Sequence, residues 1–308
     1  MAQGLTLAID IGGTKIAAGL VDPNGTLVHT SVRPTGHGDA ERMWAVVEGL
    51  ITEAVATADP AVRAVGISSA GPIDPAAGTV SPLNMTAWQR FPIVDRVAAA
   101  VPGVAVRLGG DALCVALGEH WRGAARGARF LLGMVVSTGV GGGLVLDGVP
   151  YLGRTGNAGH VGHVVVERDG DACACGGKGC VEAIASGPRM VAWAREHGWA
   201  APAEADAKAL AAAARAGDPV ALAAFRRGAG AVAAMIASVG AVCDLDLVVI
   251  GGGVAQSGAV LFDPLSEALR GYARLDFLAG LRVVPAQLGA EAGLVGAAAL
   301  SLKAYSRR

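Results

Sequence analysis

An apolar run over residues 5–10 stops at Gly12-Gly13, resumes over 15–21, turns at Asp22-Pro23-Asn24-Gly25 and resumes again over 26–30. Short apolar runs cut by tight-turn residues predict three strands. Over 39–58, Met43, Trp44, Val46, Val47, Leu50, Ile51 and Val55 recur at helical spacing, behind Asp39 as a cap for the first turn. Residues 62–67 read as a buried strand running into Ser68-Ser69-Ala70-Gly71-Pro72.

The device recurs further along. Residues 131–136 are apolar, 137–143 (Ser-Thr-Gly-Val-Gly-Gly-Gly) form the break, and 144–146 resume before a turn at Asp147-Gly148. Strand, Gly-rich turn, strand, Gly turn, strand, twice over, is an internal duplication, and it predicts two similar α/β lobes that each offer a Gly-rich hairpin to a cleft. The last third reads as helical over 205–216, 219–242 and near 291–304, with a strand over 245–250 that ends in Gly251-Gly252-Gly253. No Pro/Ser-rich linker separates the lobes, so pattern alone sets the boundary near 115. Residues 1–115 with a C-terminal helix at about 296–308 make a smaller lobe, and 116–295 a larger one.

Composition narrows the function classes. A hydrophobic fraction of 53%, charged residues at 17% and a net charge of -1 exclude both disorder and a basic nucleic-acid binder. The longest uncharged stretches, 130–146 and 228–243, are diluted by Gly and Ala and fall short of the roughly 20 apolar residues of a bilayer span. The first ten residues lack the features of a secretory signal, so a cytoplasmic protein that binds neither nucleic acid nor membrane is expected. Three of the five cysteines lie within eight residues, which in a reducing compartment favours a metal over disulfides.

Asp10-Ile11-Gly12-Gly13-Thr14-Lys15 joins a carboxylate at a strand end to a Gly turn, a hydroxyl and an ammonium. Such a turn can hold phosphate oxygens, and the Asp can hold Mg²⁺ through water. With the Gly runs at 138–143 and 251–253 it suggests a nucleotide cleft. Asp111 falls at a strand-to-helix junction, where a carboxylate is either an N-cap or a general base. One imidazole with Cys173, Cys175 and Cys180 would make a closed N/S site of the structural zinc type, the imidazole being His163 or His160. Cys114 and Cys243 read as plain core residues.

Taken together, the motifs resemble the ROK family of sugar kinases in the actin-like ATPase superfamily, over essentially the whole chain. Asp10–Lys15 matches that family's D-x-G-G-T-K phosphate loop. Residues 70–74, including Gly71, and Asn84 with Trp88 match its sugar-side loops, and 137–143 its second Gly-rich signature. Gly159-His160-Val161-Gly162-His163, Cys173–Cys180 and Glu182 match the block that joins zinc and sugar, and 251–253 the adenine-side turn. The resemblance implies two actin-like (ribonuclease H-like) lobes around a cleft, and an ATP-dependent kinase acting on the 6-hydroxyl of a hexose or amino sugar, assembled as a homodimer or homotetramer. It implies Asp111 as catalytic base, and Gly71, Asn84, Asp111, His160, His163 and Glu182 at the sugar. Asp10, Gly12, Gly13, Thr14, Lys15, Thr138, Gly139, Gly141, Gly252 and Gly253 would hold the nucleotide with Mg²⁺. Structural Zn²⁺ would sit on His163, Cys173, Cys175 and Cys180.

Two positions depart from that pattern. Gly110 stands where the family has Asn, and His160 where it has Glu, so an imidazole that can donate replaces a carboxylate that only accepts. The His160 form of the block is similar to that of bacterial N-acetylmannosamine kinases, which makes N-acetylmannosamine the expected sugar, ahead of glucose and of another amino sugar such as kanosamine.

Overall fold

The computed structural model describes residues 4–36, 38–83, 85–302 and 305. The first stretch of chain forms β1 (Leu5–Ile11), β2 (Lys15–Val21), β3 (Leu27–Pro34), α1 (Ala40–Ala56), β4 (Val62–Ser69), a small hairpin of β5 (Ile73–Asp74) and β6 (Thr79–Val80), α2 (Ile93–Ala100), β7 (Ala105–Gly110) and α3 (Asp111–Arg122). The middle forms β8 (Phe130–Val136), β9 (Val140–Leu146), β10 (Val149–Tyr151), α4 (Val181–Ala185), α5 (Gly187–Glu196), α6 (Ala207–Arg215) and α7 (Pro219–Cys243). The last part forms β11 (Leu247–Gly251), α8 (Ala259–Tyr272), β12 (Arg282–Pro285) and α9 (Ala292–Ala299).

The two five-stranded sheets have the same plan. One is ordered β3-β2-β1-β4-β7 and the other β10-β9-β8-β11-β12. In the first, β2 runs antiparallel to β1, while β4 and β7 run parallel to it and to each other. In the second, β11 is parallel to β8 and β12 to β11, and β10 is antiparallel to β9. This doubled arrangement is the actin-like fold, and the repeat in the sequence is its imprint.

Contacts divide the chain into two compact units, residues 1–129, 143–159 and 288–308, and residues 130–142 and 160–287. The boundary expected near 115 falls inside α3. That helix cannot be divided from the first unit because it packs on α9 almost backbone to backbone: a Cβ on Gly118 would collide with the Ala292 carbonyl, and one on Gly296 with that of Cys114. A side chain at Gly66 of β4 would likewise strike the Ala297 carbonyl. Glycine is required at each of these approaches for lack of space.

Asp39 caps α1 by accepting from the Arg42 N–H at 2.9 Å, and Met43, Trp44, Val47, Leu50 and Ile51 are buried, whereas Val55 is exposed. Asp206 and Asp218 cap α6 and α7 in the same way, each accepting from two backbone N–H groups. α7, with 25 residues, is long and apolar enough to cross a membrane by length and composition, yet it packs among α4, α5, α6 and α8 as a core helix. Trp88, matched above to a sugar-side loop, is fully buried, stacks on Phe91 at 4.3 Å and donates from Nε1 to the Ala40 carbonyl, so it is a core residue. Asn84 lies outside the described residues. Cys114 is buried as expected, while Cys243, at the end of α7, is partly exposed.

Candidate functional site

In the first unit the chemistry gathers at the carboxyl ends of the three parallel strands, where α/β sheets bind ligands. Asp10, Ser68 and Gly109 stand in register across β1, β4 and β7, with Ile11, Ser69 and Gly110 one step on. Asp111 follows as the first residue of α3, and Gly110 occupies the cap position. The N-cap alternative for Asp111 is therefore corrected: its Oδ1 accepts from the Ala112 N–H at 2.7 Å, from inside the helix. A side chain at Gly110 would meet nothing within 4 Å, so packing does not demand glycine at this position.

Asp10 Oδ1 accepts from the Ser68 hydroxyl at 2.6 Å. Burial pushes the Asp10 carboxyl above its ordinary range, against the opposing pull of that hydrogen bond and of the Lys15 charge. Gly293, in the first turn of α9, admits the carboxylate, since a Cβ there would lie 2.6 Å from Oδ2. The β1–β2 turn is tied by the Gly12 N–H donating to the Lys15 carbonyl at 3.0 Å, by the Thr35 hydroxyl donating to the Gly12 carbonyl at 2.7 Å, and by the Thr35 N–H donating to Thr14 at 3.0 Å. Thr14 and Lys15 stay exposed at its tip. Gly71 follows β4, close to the same edge, where the Ala70 N–H donates to the Ile11 carbonyl at 2.9 Å.

In the second unit the turn after β8 is shorter than the sequence suggested. Only Ser137, Thr138 and Gly139 form it, and Gly141 and Gly142 already lie in β9 with Gly143. Gly143 is required by proximity, because its Cβ would collide with the Leu113 backbone. Gly141 is thus a strand residue, while Thr138 and Gly139 are in the turn. The Glu182 carboxylate accepts from the Val140 N–H at 2.9 Å, and Gly139 makes room for it, a Cβ there falling 2.7 Å from Oε2. Gly252, at φ +95°, presses on the Val136 carbonyl, where any side chain would both clash and strain the backbone. Gly253 follows, and the Val254 N–H donates to Val136 at 3.0 Å.

Together these turns wall a cavity of about 600 Å³ lined by Ser137, Thr138, Gly187, Val191, Gly253 and Val254 among others. The sequence reading missed its remaining walls, α5 and α6 with Arg195, Lys208 and Arg215, because an Ala-rich amphipathic helix carries no local mark of the ligand it faces. It also missed Ser68, whose only signal was a polar residue closing an apolar strand, and Asn157, whose amide both accepts from the Ile73 N–H at 3.1 Å and donates to the Ile73 carbonyl at 2.8 Å.

His163, Cys173, Cys175 and Cys180 converge so that their ligand atoms all lie within 4.8 Å of one another. The Cys175 and Cys180 sulfurs are 3.8 Å apart, and Cys173 Sγ is 3.8 Å from His163 Nδ1. Sulfur bonds of about 2.3 Å to a tetrahedral ion put two sulfurs about 3.8 Å apart, so the donor set and spacing fit zinc, whereas a disulfide needs about 2.05 Å. His160 is not part of this cluster; it is exposed, its ring 6.4 Å from that of His163 and tilted by 23°. Gly162 between them packs on the Val140 carbonyl with no space for a side chain, which joins the His163 turn to the start of β9.

The sequence profile of the ROK family matches residues 6–304. The chain belongs to that family. It is 35% identical over 310 residues to a glucokinase of Thermotoga maritima, with 96% of each chain covered. It is 37% identical over 305 residues to an N-acetylmannosamine kinase of Salmonella heidelberg, covering 96% of this chain and 98% of the relative. Its fold superposes on the crystal structure of a ROK glucokinase from Streptomyces griseus in complex with glucose and AMPPNP, with a TM-score of 0.83, 35% identity, and 96% and 99% of the two chains covered.

Proposed function

We propose that this protein transfers the γ-phosphoryl group of ATP to the 6-hydroxyl of a hexose or amino sugar, with N-acetylmannosamine as the preferred acceptor. The observation that carries the reading is the row of groups at the ends of β1, β4 and β7, with Asp10 held by Ser68 and Asp111 heading α3. Relatives named as sugar kinases, and a neighbour solved with glucose and AMPPNP, support it.

Phosphoryl transfer asks a protein mainly to position reactants and offset charge. Asp111 accepts the proton of the attacking hydroxyl. Thr14, Lys15 and the turn between them and Asp10 hold phosphate oxygens, while the Thr138 and Gly253 walls take the nucleoside. Asp10, fixed by the Ser68 hydroxyl, would hold Mg²⁺ through water. A Mg²⁺ ion held there would supply positive charge to offset that of the phosphates. Glu182, one oxygen fixed by the Val140 N–H, presents the other to sugar hydroxyls. His163 has two ring nitrogens, one turned to the cysteine cluster and the other available to the sugar. The cluster would hold Zn²⁺ with no open position, so the metal supplies structure and no chemistry.

Choice of sugar rests on His160. A carboxylate there would accept from two hydroxyls and repel a carbonyl oxygen, whereas a neutral imidazole can donate to an acetamido carbonyl. Glucose is the second reading, favoured by the Thermotoga relative.

A coupled assay with ATP and glucose, mannose, N-acetylmannosamine, N-acetylglucosamine and kanosamine, followed by location of the phosphate on the product by NMR, tests this directly. The expected order puts kcat/KM for N-acetylmannosamine first and the phosphate on O6. In the same assay Asp111→Asn should lose about 10²-fold to 10⁴-fold in kcat at nearly unchanged sugar affinity. No turnover of any sugar would refute the kinase; a preference for glucose would refute only the choice of acceptor.

A further inference from the structure

The cavity beside Thr138 and Gly253 is assembled from elements distant in sequence: α5, the segment leading into α6, α6 itself and the 255–257 turn. On the reading that this cavity takes the nucleoside of ATP, we propose that Arg195 is a positioning residue for the nucleotide, holding the 202–205 segment as one wall at the spacing the nucleoside requires.

Arg195, on the last turn of α5, places Nη2 2.9 Å from the carbonyl of Pro202, 2.6 Å from that of Ala203 and 3.1 Å from that of Ala205. Residues 200–206 have no helix or strand of their own to hold them. Ala205 and Asp206 line the cavity, and Asp206 accepts from the Lys208 and Ala209 N–H groups at 3.0 Å each, so the segment that Arg195 holds also fixes the start of α6. The other end of α6 is held in the same manner. Arg215 donates to the carbonyls of Gln256 and Ser257 at 3.3 and 3.0 Å, on the facing wall. Nη2 of each guanidinium thus donates to backbone carbonyls of the walls themselves, an arrangement that sets a width. Lys208 also lines the cavity, and its ammonium makes no hydrogen bond or ion pair among the described residues.

A positioning role has a distinctive consequence. Releasing the wall weakens the nucleoside part of binding, so adenosine and ATP lose affinity by the same factor; a direct phosphate contact would weaken ATP alone. Arg195→Met keeps much of the aliphatic stem and removes the donors. Calorimetry without sugar should show ATP and adenosine both bound about 5-fold to 30-fold more weakly, with KM for the sugar within about twofold of the parent. Cleavage after Glu204 by a glutamate-specific protease should be faster in the variant, and ATP should slow it in the parent. Ala192→Trp, which fills the cavity from an exposed helix position, should abolish binding of both ligands. Binding to Arg195→Met within about twofold of the parent, or a loss confined to ATP, while Ala192→Trp still blocks, overturns the positioning role alone. Unchanged binding to Ala192→Trp overturns the nucleoside reading of the cavity and this proposal with it.

Discussion

Asp10 shows what the site costs the fold. Its carboxyl is pushed up by burial, so the folded protein binds a proton there more tightly than the unfolded chain does. By linkage, the stability this group contributes is fully present below its unfolded pKa and is lost as pH rises through the folded one. Asp10→Asn, which keeps an acceptor for Ser68, should therefore melt higher than the parent at pH 7 and lose that advantage as pH is lowered below about 4, the unfolded Asp range. Thermal melts across pH would show the opposite trend if Asp10 were a stabilising anion. His160 offers a second measurement at this scale. His160→Glu should shift kcat/KM from N-acetylmannosamine toward glucose by about 5-fold to 150-fold, the range of one hydrogen bond mispaired once the sugar covers the imidazole. An equal loss on both sugars would mean that the exposed imidazole has no part in selecting them.

Among elements, α9 is the most constrained. All eight of its residues are buried, and its approaches to α3 and β4 run through Gly296, Gly118 and Gly66. Gly296→Ala should destabilise by about 1–3 kcal/mol or more, because carbonyl oxygens cannot step aside as a flexible side chain would. Gly230→Ala, in the middle of α7 with nothing within 4 Å, should instead stabilise by about 0.5–1 kcal/mol; urea titration of both variants gives the comparison. The same contrast explains what could be read in advance. Short apolar runs and the Asp39 cap marked β1 to β3 and α1 because their causes are local. The three glycines of β9 looked like a turn because the Leu113 backbone that excludes a side chain at Gly143 is distant in sequence. Trp88 was matched to a sugar-side loop for a related reason: a motif match records the residue type, and the Phe91 stack that buries it is a tertiary fact.

On the scale of the whole molecule, the cysteine cluster anchors more than its own loop. Arg189 of α5 donates to the Ala172 carbonyl at 3.2 Å, and Arg227 of α7 pairs with Glu167 at 3.5 Å and Asp171 at 3.6 Å while covering the Trp193 ring at 5.9 Å. The segment from His163 to Cys180 is thereby fastened to α7 and to α5, and α5 also walls the cavity. The purified protein should contain about one zinc per chain, and Cys175→Ala, at an exposed ligand, should lose it and lower the melting temperature by several degrees or more. Elemental analysis that finds no metal in the parent would remove the zinc assignment. The Cys-x-Cys-x₄-Cys spacing made this centre legible in the sequence; the arginines that spread its influence carry no motif.

The discontinuity of the first unit reaches into how the polypeptide is made. Residues 1–129 leave the ribosome first, yet β1 and β4 lie against α9, and residues 288–308 are synthesised only after the entire second unit. The nascent amino-terminal half must therefore wait with the Gly66 face of its sheet uncovered while residues 160–287 can already fold, and the portion begun first is the one finished last.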